Sequence, residues 1–131
     1  MITADASGNL FVTERSNPII RKITPEGIVT TLAGDREPGN ADGTGSTARF
    51  TSPTGITTDA AGNLYVADLE TIRKITPSGV VTTVAGVAGR QGILLGNLPG
   101  GLDKPFGLKC IGLSTLIITT GNTVLKLIFS E

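Results

Sequence analysis

Carboxylate and amide side chains recur in this sequence at a fixed spacing that could bind a metal ion. Asp5 and Asn9 stand four residues apart in the segment Asp-Ala-Ser-Gly-Asn, and Asp59 and Asn63 repeat that spacing in Asp-Ala-Ala-Gly-Asn. Carboxylate and amide oxygens are the ligands that Ca²⁺ prefers in proteins. However, Asp at the first position and Gly at the fourth are also what a tight hairpin turn requires. We therefore favour a turn for both segments, and we expect neither a metal site nor a cofactor.

Nucleophilic and zinc-dependent catalysis lack their usual residues in this sequence. The chain contains no histidine, so neither its serines nor its single cysteine, Cys110, has an imidazole base, and a histidine-type zinc site cannot be built. It has no Gly-x-Ser-x-Gly element, and the glycine-rich segment 39–45 is not followed by the Lys-Ser/Thr pair of a phosphate-binding loop. We therefore assign no catalytic residue, and we expect Cys110 to be a small buried apolar side chain.

Residues in the longer connecting segments are better candidates for recognition, because binding residues commonly lie on long loops of a rigid scaffold. The candidates are Arg15, Asn17, Asp42, Arg49, Phe50, Asp68 and Glu70. A structural role competes with binding for three of them. Phe50 could fill the interface between neighbouring sheets, Asp42 could belong to an Asp-Gly turn, and Asp68 could accept backbone hydrogen bonds from a neighbouring sheet.

Charge and hydropathy exclude two classes of partner. Lys plus Arg and Asp plus Glu both number 11, and aromatic residues make up only 4% of the chain. Nucleic-acid binding requires a concentrated positive patch, so we expect no nucleic-acid partner. The apolar stretch 116–129 is interrupted by Thr-Thr-Gly-Asn and is too short to span a bilayer, so we expect no membrane insertion.

An internal repeat determines how these residues must be positioned. Residues 2–14 match residues 56–68 at 8 of 13 positions, and residues 20–34 match residues 72–86 at 12 of 15 positions. A third, diverged copy is recognisable from Pro105 onward, at an offset of 52 residues from the second copy. Because self-similarity at such a period indicates a repeat architecture, we interpret each copy as one structural unit.

Each unit is expected to form four short antiparallel strands. In the second copy these are 56–59, 64–67, 71–76 and 80–85, which are rich in Val, Ile, Thr and Tyr and are joined by Asp-x-x-Gly and Thr-Pro-x-Gly turns. Such a sheet cannot bury both faces alone, and radial stacking of similar sheets gives a β-propeller. Within the third strands, Arg21 and Arg73 are expected to pack their aliphatic stems between sheets and to place their charged ends at the rim.

The motifs resemble those of bacterial NHL-repeat proteins. The resemblance rests on Gly-Ile-x-x-Asp-Ala-x-Gly-Asn-Leu-Tyr-Val-Ala-Asp at 55–68, on Ile-Arg-Lys-Ile-Thr-Pro-x-Gly at 72–79, and on the linker segment 41–55. It implies an all-β fold, a partial NHL-type β-propeller of about 2.7 four-stranded blades from the C-terminal part of a ring that commonly has six. The expected divisions are 1–34 (blade 1), 35–54 (inter-blade loop), 55–86 (blade 2), 87–104 (inter-blade loop) and 105–131 (blade 3, degenerate and lacking its outer strand).

Two functions are compatible with the sequence. The first is a non-catalytic scaffold that binds a protein or a small ligand at the long-loop face. The alternative, which the resemblance suggests, is a fragment of a six-bladed propeller hydrolase or lactonase whose metal-binding channel residues lie mostly outside this chain. Exposed blade faces and an unpaired strand edge favour self-association, most simply a dimer that completes a ring. We expect no signal peptide in this chain, and a periplasmic or extracellular parent protein is an open alternative.

Overall fold

A computed structural model describes residues 1–86, 104–112, 115–121 and 123–128. Its regular structure is almost entirely antiparallel β, with one 3₁₀ turn at Gly45–Thr47. The strands of the first half are β1 (Ile2–Ala4), β2 (Leu10–Glu14), β3 (Ile19–Ile23), β4 (Val29–Ala33) and β5 (Gly43–Thr44). Those of the second half are β6 (Pro53–Thr58), β7 (Leu64–Asp68), β8 (Thr71–Ile75), β9 (Val80–Ala85), β10 (Gly107–Ile111), β11 (Thr115–Thr119) and β12 (Val124–Ile128). No helix in the described part of the chain is long and apolar enough to cross a membrane.

The strands form three sheets that correspond to the three repeats. Blade 1 has the strand order β1-β2-β3-β4, and blade 3 has the order β10-β11-β12. Blade 2 has five strands in the order β5-β9-β8-β7-β6, because the linker that precedes it contributes β5 along the outer edge of β9. The predicted all-β propeller class is therefore confirmed, with a fifth strand in blade 2 that the repeat pattern did not indicate.

Turn chemistry fixes the hairpins within each blade. The Asp5 carbonyl accepts a hydrogen bond from the Gly8 amide at 3.2 Å, and Gly8 adopts a φ of +84°, which glycine reaches without steric cost. Gly62 repeats this conformation with the same φ of +84°. Because strands alternate in direction, these turns and the Thr-Pro-x-Gly turns lie at one end of each blade, here called the turn face. The β2–β3 and β7–β8 connections and the linkers lie at the opposite end, here called the loop face.

Two apolar clusters hold the blades against one another. The first lies between blades 1 and 2 and includes the buried side chains of Phe11, Ile20 and Phe50 together with Val66. The second lies between blades 2 and 3, where blade 2 packs against Leu116 and its neighbours, and the half-buried Cys110 packs beside it. Each fully buried Leu, Ile, Val or Phe side chain contributes about 1.5 to 3 kcal/mol to stability. Stacking of the blades therefore provides the buried apolar surface that a single sheet lacks.

One strand boundary differs from the expected one. β6 begins at Pro53, inside the segment expected to be an inter-blade loop, and its pairing with β7 is interrupted by a bulge between Pro53 and Ile56. Proline lacks an amide donor, and such positions at a strand start or bulge accommodate it. The inter-blade loop predicted for 87–104 lies outside the described residues except for Lys104, so the proposed blade limits remain a prediction.

Candidate binding site on the loop face

Arg73 on β8 is the centre of the hydrogen-bond network that attaches the linker to blade 2. Its side chain is fully buried, and the guanidinium donates to the backbone carbonyl oxygens of Arg49 at 2.8 Å and Ala41 at 2.9 Å. It also donates to carboxylate oxygens of Asp42 at 3.0 Å and Asp68 at 3.3 Å. The expectation that the charged end of Arg73 lies at the rim is therefore wrong, because the linker folds over it and satisfies four of its donor positions.

The aromatic ring of Phe50 packs against the Arg73 guanidinium. Its centroid lies 5.0 Å from the Arg73 guanidinium carbon, within the range of a cation–π contact. Phe50 is completely buried in the cluster between blades 1 and 2, so it fills the blade interface and is not available to a ligand. Its candidacy as a binding residue is corrected accordingly.

Asp68, at the end of β7, anchors the last residues of the linker. Its carboxylate accepts hydrogen bonds from the backbone amides of Ser52 at 2.6 Å and Thr51 at 3.0 Å. Burial raises the pKa of Asp68, and the hydrogen bonds from Ser52, Thr51 and the nearby Arg73 oppose that rise. The sequence suggested hydrogen bonds from a neighbouring blade. Instead, they come from the linker that enters the same blade. Asp68 is therefore a structural residue, inaccessible to a ligand.

The remaining candidates divide between exposed and occupied positions. Asp42 is about half exposed, yet its carboxylate accepts hydrogen bonds from the Thr83 amide at 3.1 Å and the Thr83 hydroxyl at 2.9 Å. Arg49 donates to carbonyl oxygens of its own segment and pairs with Asp35 at 3.5 Å. Glu70 is buried, which corrects the expectation that it lies on an open loop.

Arg15 and Asn17 lie exposed in the β2–β3 connection, as expected of recognition residues. Arg15 lines a pocket, and its Nε donates to the Ser52 hydroxyl at 3.1 Å, which joins the loop of blade 1 to the entrance of blade 2. The predicted candidates thus do not form one site. The linker network uses most of them, and Arg15 faces a separate surface.

That surface is a pocket of about 250 Å³ on the loop face, formed where four segments from three successive repeats meet. Its lining residues are Arg15, Ser52, Thr54, Leu69, Lys104, Pro105 and Phe106. Two cationic side chains and two hydroxyl groups therefore stand beside apolar surface, and the Phe106 side chain is about half exposed. Apart from Arg15, none of these residues was among the predicted binding candidates, although alignment of Lys104-Pro-Phe with Ser52-Pro-Thr at the 52-residue offset carried the signal.

Two lining residues adopt backbone conformations that side chains normally avoid. Leu69 has a φ of +54° in the two-residue loop between β7 and β8, and Lys104 has a φ of +44° just before β10. They are the two non-glycine residues with positive φ in the described part of the chain, and both border the same pocket. Such conformations cost roughly 1 to 3 kcal/mol each and cluster at ligand-binding sites.

The Asp-Asn pairs considered for metal binding are engaged in their own turns. The Asp5 carboxylate accepts hydrogen bonds from the Ser7 amide at 3.0 Å, the Asn9 amide at 2.9 Å and the Asn9 side chain at 2.9 Å. The side-chain hydrogen bond from Asn9 lowers the pKa of Asp5. Asp59 makes the corresponding bonds to Asn63. The turn interpretation is thus what the geometry supports, and the described ranges contain no group of three or more His, Cys, Asp or Glu side chains placed to hold a metal ion.

Comparison with known families and structures agrees with this architecture. Residues 35–94 match the model of the teneurin NHL domain. A structural genomics protein of unknown function from Bacteroides thetaiotaomicron superposes with a TM-score of 0.85 over 92% of this chain and 32% of that chain, at 26% sequence identity. A comparison with the sequences of curated proteins finds no match.

Two further solved structures share the fold. An auxiliary nutrient binding protein from Bacteroides thetaiotaomicron superposes with a TM-score of 0.73 at 22% identity, over 89% of this chain and 33% of that chain. An inactivated virginiamycin B lyase from Staphylococcus aureus superposes with a TM-score of 0.65 at 19% identity, over 97% and 36%. The chain thus spans about one third of the length of each of these three solved structures.

Proposed function

Since this chain is part of an NHL-repeat β-propeller, we propose that it is a non-catalytic binding module whose ligand occupies the loop-face pocket. The observation that carries the proposal is the pocket itself, where Arg15 and Lys104 place positive charge next to the apolar surface of Leu69 and Phe106. Concave sites with apolar walls and a few polar groups are the usual form of small-ligand sites.

The chemistry of the lining favours a ligand with an anionic group and an apolar part. A carboxylate or phosphate would accept hydrogen bonds from the Arg15 guanidinium and the Lys104 ammonium, and the Ser52 hydroxyl already lies at the Arg15 Nε. Phe106 and Leu69 would then cover the apolar portion and exclude water from it. The use of this fold by an auxiliary nutrient binding protein is compatible with such a role.

Isothermal titration with a pair of charge-reversed probes tests this proposal. We expect 3-phenylpropionate to bind with a dissociation constant on the order of 1 mM or tighter, and 3-phenylpropylamine not to bind measurably. Arg15→Gln and Lys104→Gln should each weaken binding of the anion about three- to tenfold. The matched control is Lys22→Gln, which removes one positive charge from β3, near Asp5 on the turn face.

Equal binding of the two probes, or an anion affinity that Arg15→Gln and Lys104→Gln leave unchanged, would contradict the proposal. The enzyme alternative makes a different prediction. A propeller hydrolase or lactonase with a metal in its channel would melt at a higher temperature when Ca²⁺ or Zn²⁺ is added to the complete ring, because a ligand that binds only the folded state stabilises it.

A further inference from the structure

The connection between β7 and β8 places a leucine where the backbone favours another residue type. It consists of only two residues, Leu69 and Glu70, whereas the corresponding connection of blade 1 has four, 15–18, none of which has a positive φ. The shorter loop holds Leu69 at a φ of +54°. Glycine adopts this conformation without steric cost and asparagine tolerates it, but leucine does so rarely. The loop geometry therefore does not explain why residue 69 is a leucine.

Packing between the blades does not explain this leucine either. The Leu69 side chain is half-buried and, among the residues that the structure describes, belongs to neither of the two apolar clusters. It lines the loop-face pocket instead. Strained backbone conformations of this kind cluster at ligand-binding sites, where the strain is retained because the side chain is needed in that position. The contact that accounts for Leu69 is therefore the one it offers to the content of the pocket.

Leu69 and Arg15 are equivalent residues of successive blades. Arg15 directly follows Glu14, the last residue of β2. Leu69 directly follows Asp68, the last residue of β7. Both line the same pocket, so a single repeat position supplies it with one cationic and one apolar side chain. The hydrogen bond from the Arg15 Nε to the Ser52 hydroxyl, at 3.1 Å, ties the cationic group to the entrance of blade 2. The two loops therefore provide two different contacts for one ligand.

We infer that Leu69 is the specificity-determining residue of the loop-face pocket, and that it makes the pocket prefer anions with an apolar chain over short hydrophilic anions. The inference rests on the proposed function of the same pocket. The anionic group of the ligand would contact Arg15 and Lys104, and its chain would lie against Leu69 and the half-exposed ring of Phe106. Burial of that chain is what the leucine contributes and what a glycine or an asparagine at position 69 could not.

Titration of the intact chain with n-alkanoates from butanoate to octanoate, followed by backbone amide chemical shifts, measures this preference. All members carry the same carboxylate, so the change in affinity along the series reports the apolar contact alone. A fully buried methylene raises affinity about fourfold, and we expect about twofold per added methylene in this partly open pocket. Leu69→Asn replaces the leucine by a polar side chain of similar size. It should lower the gain to about 1.3-fold or less per methylene and change the affinity for butanoate less than about twofold.

Thermal melting without ligand distinguishes ligand selection from a role of Leu69 in the fold. Leu69→Asn should raise the melting temperature by about 2 to 4 °C, because asparagine tolerates the left-handed conformation at a lower cost. The matched control is Leu69→Met, which keeps both the apolar side chain and the strain. It should keep the wild-type melting temperature and the wild-type dependence of affinity on chain length.

The outcomes separate this inference from the proposed function of the pocket. If wild type and Leu69→Asn gain affinity equally along the series, Leu69 does not determine specificity, although the pocket still binds anions. A melting temperature of Leu69→Asn at or below that of wild type would also overturn the inference, because it would show that the leucine serves the fold. Absence of binding by every alkanoate would overturn both the inference and the proposed function.

Discussion

Replacement of Arg73 by methionine removes the guanidinium that joins the linker to blade 2 while it keeps most of the apolar stem. The variant loses four hydrogen bonds, two to carbonyl oxygens and two to carboxylates. It also leaves the carboxylate of Asp68 buried without its cation, although the amides of Ser52 and Thr51 still donate to it. Removing one partner of a buried ion pair costs about 3 to 5 kcal/mol.

Arg21→Met is the matched control within the same molecule. Arg21 occupies the same strand position in the same Ile-Arg-Lys-Ile-Thr-Pro sequence, but its ion pair with Glu14 is partly exposed on both sides. Partly exposed pairs contribute about 1 kcal/mol or less, because solvent screens them. The difference between the two variants therefore isolates the effect of the linker that covers Arg73.

Urea unfolding followed by far-ultraviolet circular dichroism measures both variants, since the chain has no tryptophan to report by fluorescence. We expect Arg73→Met to lower the free energy of unfolding by about 3 to 5 kcal/mol and the melting temperature by about 10 to 20 °C. Arg73→Lys, which keeps the charge but not the planar fork, should lie between the wild type and Arg73→Met. A loss for Arg73→Met no greater than for Arg21→Met would refute this reasoning.

Three other predictions concern pH, packing and association. Burial raises the pKa of Asp68, so in the folded chain this carboxyl keeps its proton at pH values above its ordinary pKa of 3.8. The contribution of Asp68 to the free energy of unfolding therefore falls as the pH rises from 3.8 to its folded pKa. The stability advantage of wild type over Asp68→Asn, measured by urea unfolding, should therefore be larger at about pH 3.5 than at pH 7. Gly55→Ala should destabilise the chain by about 2 kcal/mol or more in thermal melts, since a Cβ there would overlap the Phe106 carbonyl oxygen, while Gly121→Ala, with open space around it, should be nearly neutral. Light scattering on a sizing column should give a dimer mass, because the outer faces of blades 1 and 3 leave apolar side chains exposed.

Each of these has an outcome that would contradict it. A stability difference for Asp68→Asn that is constant with pH, or that grows toward neutral pH, would mean that hydrogen bonding outweighs burial at this carboxyl. Equal melting temperatures for the two alanine variants would mean that blades 2 and 3 do not approach as closely as described. A monomer mass at every concentration would exclude ring completion by a second copy.

The sequence predicted the strands and hairpins well because their determinants are local. Turn residues and β-branched runs specify their own neighbourhood, and the fourth strand of blade 2 lies at Val80–Ala85, where it was expected. β5 could not be predicted in the same way. It consists of Gly43 and Thr44, whose extended conformation depends on pairing with β9, a strand almost forty residues further along the chain.

The buried state of Arg73 shows why the site was harder to predict than the fold. Arg21 and Arg73 lie in the same six-residue sequence, so no local signal distinguishes the exposed residue from the buried one. The loop-face pocket was hard to predict for a similar reason, because its lining combines four segments from three blades that only blade stacking brings together. Residues such as Lys104 and Phe106 become candidates only when the repeats are superposed in space.

Mapping the bound anion by backbone amide chemical shifts tests most directly whether the loop face is the recognition surface. On titration with 3-phenylpropionate, we expect the largest shifts at Ser52, Thr54, Leu69 and Phe106, with little change at Gly8 and Gly62 in the turns at the opposite end of the blades. Shifts concentrated at those turns, or spread evenly over the chain, would contradict the assignment of the pocket as the binding site.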